Sequence, residues 1–510
     1  MEKQQSSTAH LQDASYSHVL KYTGLFGGVQ GLNMLIGIMR TKVVALFLGP
    51  SGLALINIYN NVVTLLSQCT NMGVAFSGVK DIAEQLATGQ AERVERSVRS
   101  VRAWCSLTAL LGTLVGLVFS PFISLLTFGN YSYTLSFAAL SPMVGMLAIT
   151  GGEMAILKGL KCLRRVAAVS VLCAAVTLVV YLMFYGTLGA KSIVPALLLS
   201  NAGIMGVHLY YSTRVVPWQW RFTHSKAILR YGLPFIRLGI AYIVSGAFGQ
   251  GAEYVMRALL IRTGGIEVVG LYNCGYIMIV SYASLVFVAI ESDYFPRLSA
   301  VKDNAQLTTL TVNKQTEICV LLISPVLVAF VLLMPFIVRL LFSEAFVGAV
   351  EMSTCAVFYM FFKSLTLPAA YLPLAHGDSK IYMVSEVTYD VLLALAVPSF
   401  FYLFGLEGTG WALTVMGLFD LFLIHGLYYY KYGYRFRSSQ IMTILAQLLL
   451  LAVSVGVALT MSSLMKYGIG AGALLLSCWF SFRVLNKETQ MLQLVKKKLL
   501  KRRENRGENS

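Results

Sequence analysis

Runs of about 20 apolar residues recur along this chain from residue 17 almost to residue 485, and a helix of that length is what crosses the hydrocarbon core of a bilayer. Apolar residues make up 57 % of the sequence and charged residues only 12 %, against about a quarter charged in soluble domains. A soluble chain of this size would divide into several cores with polar surfaces between them. Here the solvent for most of the surface is lipid. The spans fall near 17–39, 53–75, 104–126, 134–157, 166–187, 193–213, 233–260, 269–290, 317–341, 348–373, 381–404, 408–430, 440–461 and 467–485. The expected fold is therefore an all-α polytopic membrane protein of about fourteen transmembrane helices. The first sixteen residues are polar, and no small-residue cleavage site follows the first apolar run, so that run reads as a retained membrane helix.

The net charge of +17 is explained by where the cations lie. With the N-terminus in the cytoplasm, odd spans run outward and even spans inward. The inside loops then hold Lys80, Arg93, Arg96, Arg99 and Arg102; Lys158, Lys161, Arg164 and Arg165; Arg214, Arg221, Lys226 and Arg230; Arg297, Lys302 and Lys314; and Lys431, Arg435 and Arg437. The outside loops hold Lys191, Arg262 and Lys466. This is the positive-inside bias. It places both termini in the cytoplasm and accounts for the basic balance without a nucleic-acid partner. The basic tail from Arg483 is also suited to anionic headgroups of membrane lipids. The eight cysteines fall mainly in apolar segments without CxxC pairing, which implies neither a metal site nor a disulfide framework; no cofactor is expected.

The sequence is internally repeated. Arg40 is followed by TKVVALFLGPSGLALINIYNNV, and Arg257 by ALLIRTGGIEVVGLYNCGYIM. Each segment has a basic residue late in an outward helix, a short Gly-containing turn, and a Gly-Leu start to the inward helix. Charged stretches follow both, GVKDIAEQ and YFPRLSAVKDN. The expected organisation is a cytoplasmic N-tail (1–16), an N-terminal six-helix bundle (17–213), a linker (214–232), a C-terminal six-helix bundle (233–430), two additional helices (431–485) and a basic tail (486–510). In transporters built of parallel repeats the substrate site lies at the interface of the halves. Residues 82–103 read as an amphipathic helix on the cytoplasmic face, with Arg93, Arg96, Arg99 and Arg102 at every third position.

Through LFLGPSGLALINIYNNV, GVKDIAEQ, ILKGLKCLRR, YFPRLSAVKDN, LLFSEAF and AHGDSKIYMVSEV, in that order over about residues 17–435, the chain resembles the Wzx-type lipid-linked oligosaccharide flippases. These belong to the multidrug/oligosaccharidyl-lipid/polysaccharide exporter superfamily, and the common-antigen lipid translocase branch is the nearest. The resemblance implies a V-shaped pair of pseudo-symmetric six-helix bundles around a cavity, working by alternating access. The implied substrate is an undecaprenyl-diphosphate-linked oligosaccharide, moved from the cytoplasmic to the periplasmic leaflet of the bacterial inner membrane for O-antigen, capsule or exopolysaccharide assembly. Implied partners are that substrate, membrane lipids, and the polysaccharide polymerase and chain-length machinery; the expected state is a monomer.

Charges inside the spans are few, and such residues are costly in lipid, so they usually face a cavity. A diphosphate needs cations that replace its hydration, and the planar guanidinium fork suits it best. The candidates are Arg40, Lys42, Arg237, Arg257 and Lys363. The resemblance adds that lipid II flippases have a cavity arginine matching Arg40, and that Lys42 matches a lysine of the common-antigen branch. Two readings stand for these cations: they line a cavity, or they snorkel to the headgroups. Candidates for ion coupling are Glu153, Glu253, Glu386, Asp390 and Asp420. Glu253 and Arg257 are four apart and share a helix face, so a local ion pair stands beside separate roles. Glu386 and Asp390 are also four apart, which suits proton coupling, or else Glu386 lies at headgroup level near Lys380. Pro368 and Pro373 are expected to kink their helix.

Nothing resembles a phosphate-binding Walker loop, and every outside loop is short, so a membrane-embedded transferase or polymerase fits poorly and the chain is not expected to be an enzyme. The rivals within transport are a cation-coupled multidrug exporter and a lipid II-type flippase of the same superfamily. The drug exporters have an acidic residue within their first helix; here Ser17–Met39 has none.

Overall fold

Backbone polar groups within hydrocarbon must be satisfied inside the chain, which a helix does segment by segment. The computed structural model describes residues 2–218, 226–283, 285–461 and 463–489, and among them no strand forms. The helices are α1 (Glu2–Thr70), α2 (Val74–Ala87), α3 (Ala91–Phe128), α4 (Thr134–Gly159), α5 (Leu163–Leu188), α6 (Ile193–Thr213), α7 (Lys226–Tyr276), α8 (Leu285–Val301), α9 (Ala305–Leu341), α10 (Ala349–Ala370), α11 (Leu372–His376), α12 (Ser379–Tyr432), α13 (Ser438–Thr460) and α14 (Ser463–Thr489). Ten helical stretches among the described residues are long and apolar enough to cross a membrane. Those of 43, 51 and 54 residues are each about twice the length one crossing needs. The chain is a multi-pass membrane protein.

The long stretches turn on glycine. Gly49 in α1 (φ 64°, ψ −166°), Gly265 in α7 (φ 87°, ψ 174°) and Gly405 in α12 (φ 66°, ψ −155°) break otherwise continuous helices, and Gly189 caps α5 with the same geometry (φ 59°, ψ −142°). Positive φ with extended ψ is a region that only glycine enters without strain. The interval from Gly49 to Gly265 equals that from Gly189 to Gly405. The repeat read from the first pair of turns therefore has a second register mark at the α5–α6 and α12 turns. With only Tyr-Gly-Thr-Leu-Gly and Leu-Phe-Gly-Leu-Glu-Gly around them, those two turns share little sequence beyond the glycine.

The chain divides into two compact units, Met1–Arg262 with Leu341–Ser343, and Thr263–Leu340 with Glu344–Ser510. In the first, α3 and α4 pack through glycines. A Cβ on Gly112 would stand 2.7 Å from a Val144 methyl, and one on Gly145 would stand 2.7 Å from Thr113 Oγ1. Close approach over small residues is how helices associate without a hydrophobic drive between them. In the second unit, α10 packs on the latter part of α12, where Gly417 faces Tyr359. A buried group of Tyr294, Leu298, Val312, Leu372, Ile424 and Tyr428 closes its core, with Tyr294 Oη donating to the Pro368 carbonyl at 2.7 Å. The α13–α14 pair is joined by buried Gln447, which donates to Ser481 Oγ (2.9 Å) and accepts from Ser477 Oγ (2.7 Å).

Three local expectations are revised. The amphipathic segment 82–103 is not one helix: α2 ends at Ala87, Gly89 adopts φ 72°, and 91–103 are the first turns of α3. The helix expected over 269–290 is a composite of the end of α7, a π-helical turn at Ile277–Tyr282, and α8. The Pro368/Pro373 segment breaks at Tyr371, with Pro373 opening α11, where its missing N–H is no loss.

Candidate functional site

Arg40 lies in α1, nine residues before Gly49, which at 1.5 Å per residue is about 13 Å below the kink. The stripe Asn33–Arg40–Phe47 faces α5. Asn33 Nδ2 donates to Ser170 Oγ at 2.6 Å, and the Phe47 ring lies against Gly186, where a side chain would stand 3.6 Å from its edge. Between these two contacts Arg40 comes within electrostatic reach of Tyr181 and Tyr185, whose rings are 4.7 Å apart. The Arg40 residue is exposed, and it belongs to none of the ion pairs among the described residues. An exposed arginine well inside a spanning helix either faces water or requires the bilayer to deform around it. Lys42 is half-buried, two residues on.

Arg257 behaves differently. It is 8 % exposed and pairs with Glu253 at 2.6 Å on the same helix face, so the local pair is the arrangement found. Arg257 stands eight residues before Gly265, whereas Arg40 stands nine before Gly49. With the two kinks in register, Arg257 matches Thr41 rather than Arg40, about 100° further round the helix. Both arginines belong to the first compact unit. Arg237 lies in α7, outside the residues whose side chains are described.

The second unit carries its own charged group. Lys363 Nζ of α10 meets Asp420 Oδ2 of α12 at 3.3 Å, Thr366 Oγ1 donates to the same oxygen at 3.0 Å, and the ammonium lies 5.5 Å from the Tyr389 ring centroid. Half-buried Glu386 acts on Lys363 electrostatically. Asp390, also half-buried, lies one turn further along α12. The fold thus brings Lys363 of α10 together with Glu386 and Asp420 from the two arms of α12, Lys363 and Asp420 being 57 residues apart in the sequence.

Glu153 is held by a residue that the sequence places among the headgroup-facing basics. Arg102 Nε and Nη2 each donate to the Glu153 carboxylate at 3.0 Å, Ser212 Oγ donates to it as well, and both charged side chains are 2 % exposed. Arg102 Nη1 donates to the carbonyls of Val216 (2.9 Å) and Pro217 (3.2 Å), and its guanidinium lies 4.8 Å from the Trp218 ring. The reason is helical geometry. Steps of three residues on a 3.6-residue helix rotate about 60° each, so Arg93 and Arg102 lie about half a turn apart. Arg93 is exposed and Arg102 is buried. A signal was present: Glu153 is the one carboxylate within the spans of the first half, and a buried carboxylate needs a cation.

The profile of a family described as "Polysaccharide biosynthesis protein" matches residues 43–351. Among solved structures, the chain is similar to an inward-facing multidrug resistance MATE family transporter of the MOP superfamily, at TM-score 0.65 and 14 % identity over 79 % of this chain and 94 % of that one. It is similar to the lipid II flippase MurJ in an inward closed conformation, at TM-score 0.64 and 14 % identity over 91 % of this chain and 99 % of that one. A MOP superfamily transporter from Pyrococcus furiosus matches at TM-score 0.52 and 15 % identity over 84 % and 93 %. No significant match to a curated protein is found. The fold is that of these transporters.

Proposed function

This chain belongs to the polysaccharide biosynthesis protein family, and we propose on that premise that it translocates a polyprenyl-diphosphate-linked oligosaccharide across the bacterial inner membrane by alternating access. The observation that carries the reading is Arg40, an exposed arginine about 13 Å inside a spanning helix and free of any carboxylate among the described residues. Its five N–H donors fit the oxygens of a diphosphate, and an anionic lipid head gives such a residue a partner that the protein does not supply. The polyprenyl tail stays in lipid while the head is carried. Lys42, two residues on and about 200° round the helix, Arg237 and Lys363 are further candidate contacts for the head.

Coupling to protons falls on Glu386 with Asp390. Glu153, Glu253 and Asp420 are each in an ion pair, whereas Glu386 is in none among the described residues. Transport driven by an imposed pH gradient, measured in wild type and Glu386→Gln, checks this: the expected result is a gradient response that the variant loses.

Flipping of a fluorescent polyprenyl-diphosphate oligosaccharide in proteoliposomes tests the main reading. Wild type is expected to flip it. Arg40→Ala is expected to lose at least about tenfold in rate, the equivalent of one 1.4 kcal/mol charge-assisted contact, and Arg40→Lys to recover part of it. Normal flipping by Arg40→Ala would move the phosphate contact elsewhere in the protein. No flipping by correctly oriented wild type would favour drug export, since the same fold serves a multidrug resistance MATE family transporter.

A further inference from the structure

Residues 433–437, Gly-Tyr-Arg-Phe-Arg, join α12 to α13 as a non-helical strap, with Gly433 left-handed (φ 66°, ψ 18°) and Arg437 extended (φ −81°, ψ 133°). Burial alternates along it. Tyr434 is 2 % exposed and Phe436 half-buried, while Arg435 and Arg437 are both exposed. The inner side is pinned at several points: Tyr434 Oη donates to Asn313 Oδ1 (3.1 Å), Asn313 Nδ2 donates to the Arg435 carbonyl (2.8 Å), and the Phe436 ring stacks on His425 with centroids 4.2 Å apart. The strap is thus a rigid mount for two guanidinium groups. Arg435 is further oriented by Tyr429, whose ring centroid lies 4.9 Å from its guanidinium carbon and whose hydroxyl accepts from Nη2 at 3.0 Å. Most of its donors remain available.

Beside the strap is an open cavity of about 430 Å³, lined by Ala305, Gln306 and Leu310 of α9 together with Arg435, Phe436 and Arg437. No carboxylate is among the described residues that line it. Ala305, Leu310 and Phe436 form its apolar wall, interrupted by Gln306, Thr309 and Asn313, the two arginines make the strap side cationic, and the cavity sits where α9 begins, α12 ends and α13 begins. By the spans read from the sequence, 317–341, 408–430 and 440–461, that is the end of three membrane helices expected on the cytoplasmic, headgroup-facing side. The volume lies within the range of small-molecule sites.

We infer that this cavity binds the phosphodiester headgroup of an anionic membrane phospholipid, with Arg435 and Arg437 on the phosphate and Leu310 and Phe436 against the glycerol and first methylenes. A free phosphate shares the charge but not the apolar wall. The site uses none of the residues of the proposed transport path and stands whether or not the transport reading does.

Native mass spectrometry of the purified full chain, titrated with phosphatidylglycerol or phosphatidylcholine, tests the inference. Wild type is expected to retain phosphatidylglycerol over phosphatidylcholine, and Arg435→Gln/Arg437→Gln to weaken that retention about tenfold or more, one such contact being worth about 1.4 kcal/mol. Arg437→Gln alone, at an exposed side chain with no hydrogen bond or ion pair among the described residues, is expected to weaken it in a protein of unchanged melting temperature. Leu310→Trp, which fills the cavity, is expected to do the same. Equal retention of both lipids by wild type, or full retention by the double and the Leu310→Trp variants, overturns the site. Displacement of phosphatidylglycerol by millimolar inorganic phosphate, with equal stabilisation of lipid-free protein, overturns the lipid assignment in favour of a free-phosphate site.

Discussion

Arg102 and Arg40 carry the same guanidinium and meet opposite conditions. Arg102 is buried, with a carboxylate, two backbone carbonyls and an indole around it. Removing one member of such a pair leaves an uncompensated buried charge, which costs about 3–5 kcal/mol, whereas replacing both partners by apolar residues is often near neutral. Arg102→Ala is therefore expected to lower the thermal midpoint strongly. Arg102→Met/Glu153→Leu should recover much of the loss in intrinsic-fluorescence melts in detergent. A double variant no better than the single one would mean that the carbonyls of Val216 and Pro217, rather than Glu153, set the role of Arg102. Arg40→Ala is expected to leave the melting temperature nearly unchanged, because no described group loses an ionic partner. The two arginines could not be told apart by residue type. Arg40 stood out in the sequence as a charge within an apolar run, while Arg102 was hidden at the seam between a charged loop and a span.

At the scale of elements, the glycine turns are the parts on which the long helices depend. Gly265→Ala places a Cβ in a backbone region that costs about 1–3 kcal/mol, and a clear fall in melting temperature is expected. Gly206→Ala in α6, with no atom within 4 Å of the added Cβ and no positive φ, should instead stabilise by about 0.5–1 kcal/mol, the usual gain in a helix interior. If both changes behave alike in the same melting assay, the kink at Gly265 is not held as described. The turns at Gly49 and Gly265 were legible because flanking residues repeat. Those at Gly189 and Gly405 were not, since the repeat there survives in backbone geometry and hardly in side chains. The helix expected over 82–103 failed for a related reason: the apolar spacing Ile82, Leu86, Val94, Val98 and Val101 carries across Gly89, and such spacing alone does not register the break there.

For the whole molecule, charge bias sets the expected orientation. In a cysteine-free background, Lys302→Cys should react with a membrane-impermeant maleimide only after the inner membrane is opened, and Lys191→Cys should react in spheroplasts without it. The reverse pattern would invert the topology and place the Arg435–Arg437 cavity in the outer leaflet. Because Arg257 pairs locally with Glu253, the test of transport rests on Arg40 alone. The C-terminal pair α13–α14 is joined by the buried Gln447–Ser477–Ser481 bonds, a kind of contact that supplies cohesion between helices in lipid, where apolar contact alone supplies little.

The sequence by itself determined that the chain is helical and lies in a membrane, roughly where its spans fall, which loops carry the positive charge, and that its first and seventh helices belong to a repeat. Those properties follow from hydropathy and spacing, which are summed over many residues and tolerate local error. Only the tertiary structure decided the partners: that Glu153 meets Arg102 and Asp420 meets Lys363, that Arg40 meets no carboxylate among the described residues, and that Tyr434 and Phe436 turn inward so that Arg435 and Arg437 face a cavity. The physical reason is that each of these depends on the azimuth of a side chain about its helix and on the approach of a second helix distant in sequence. A shift of one residue moves a side chain by about 100°, enough to exchange a cavity for a core.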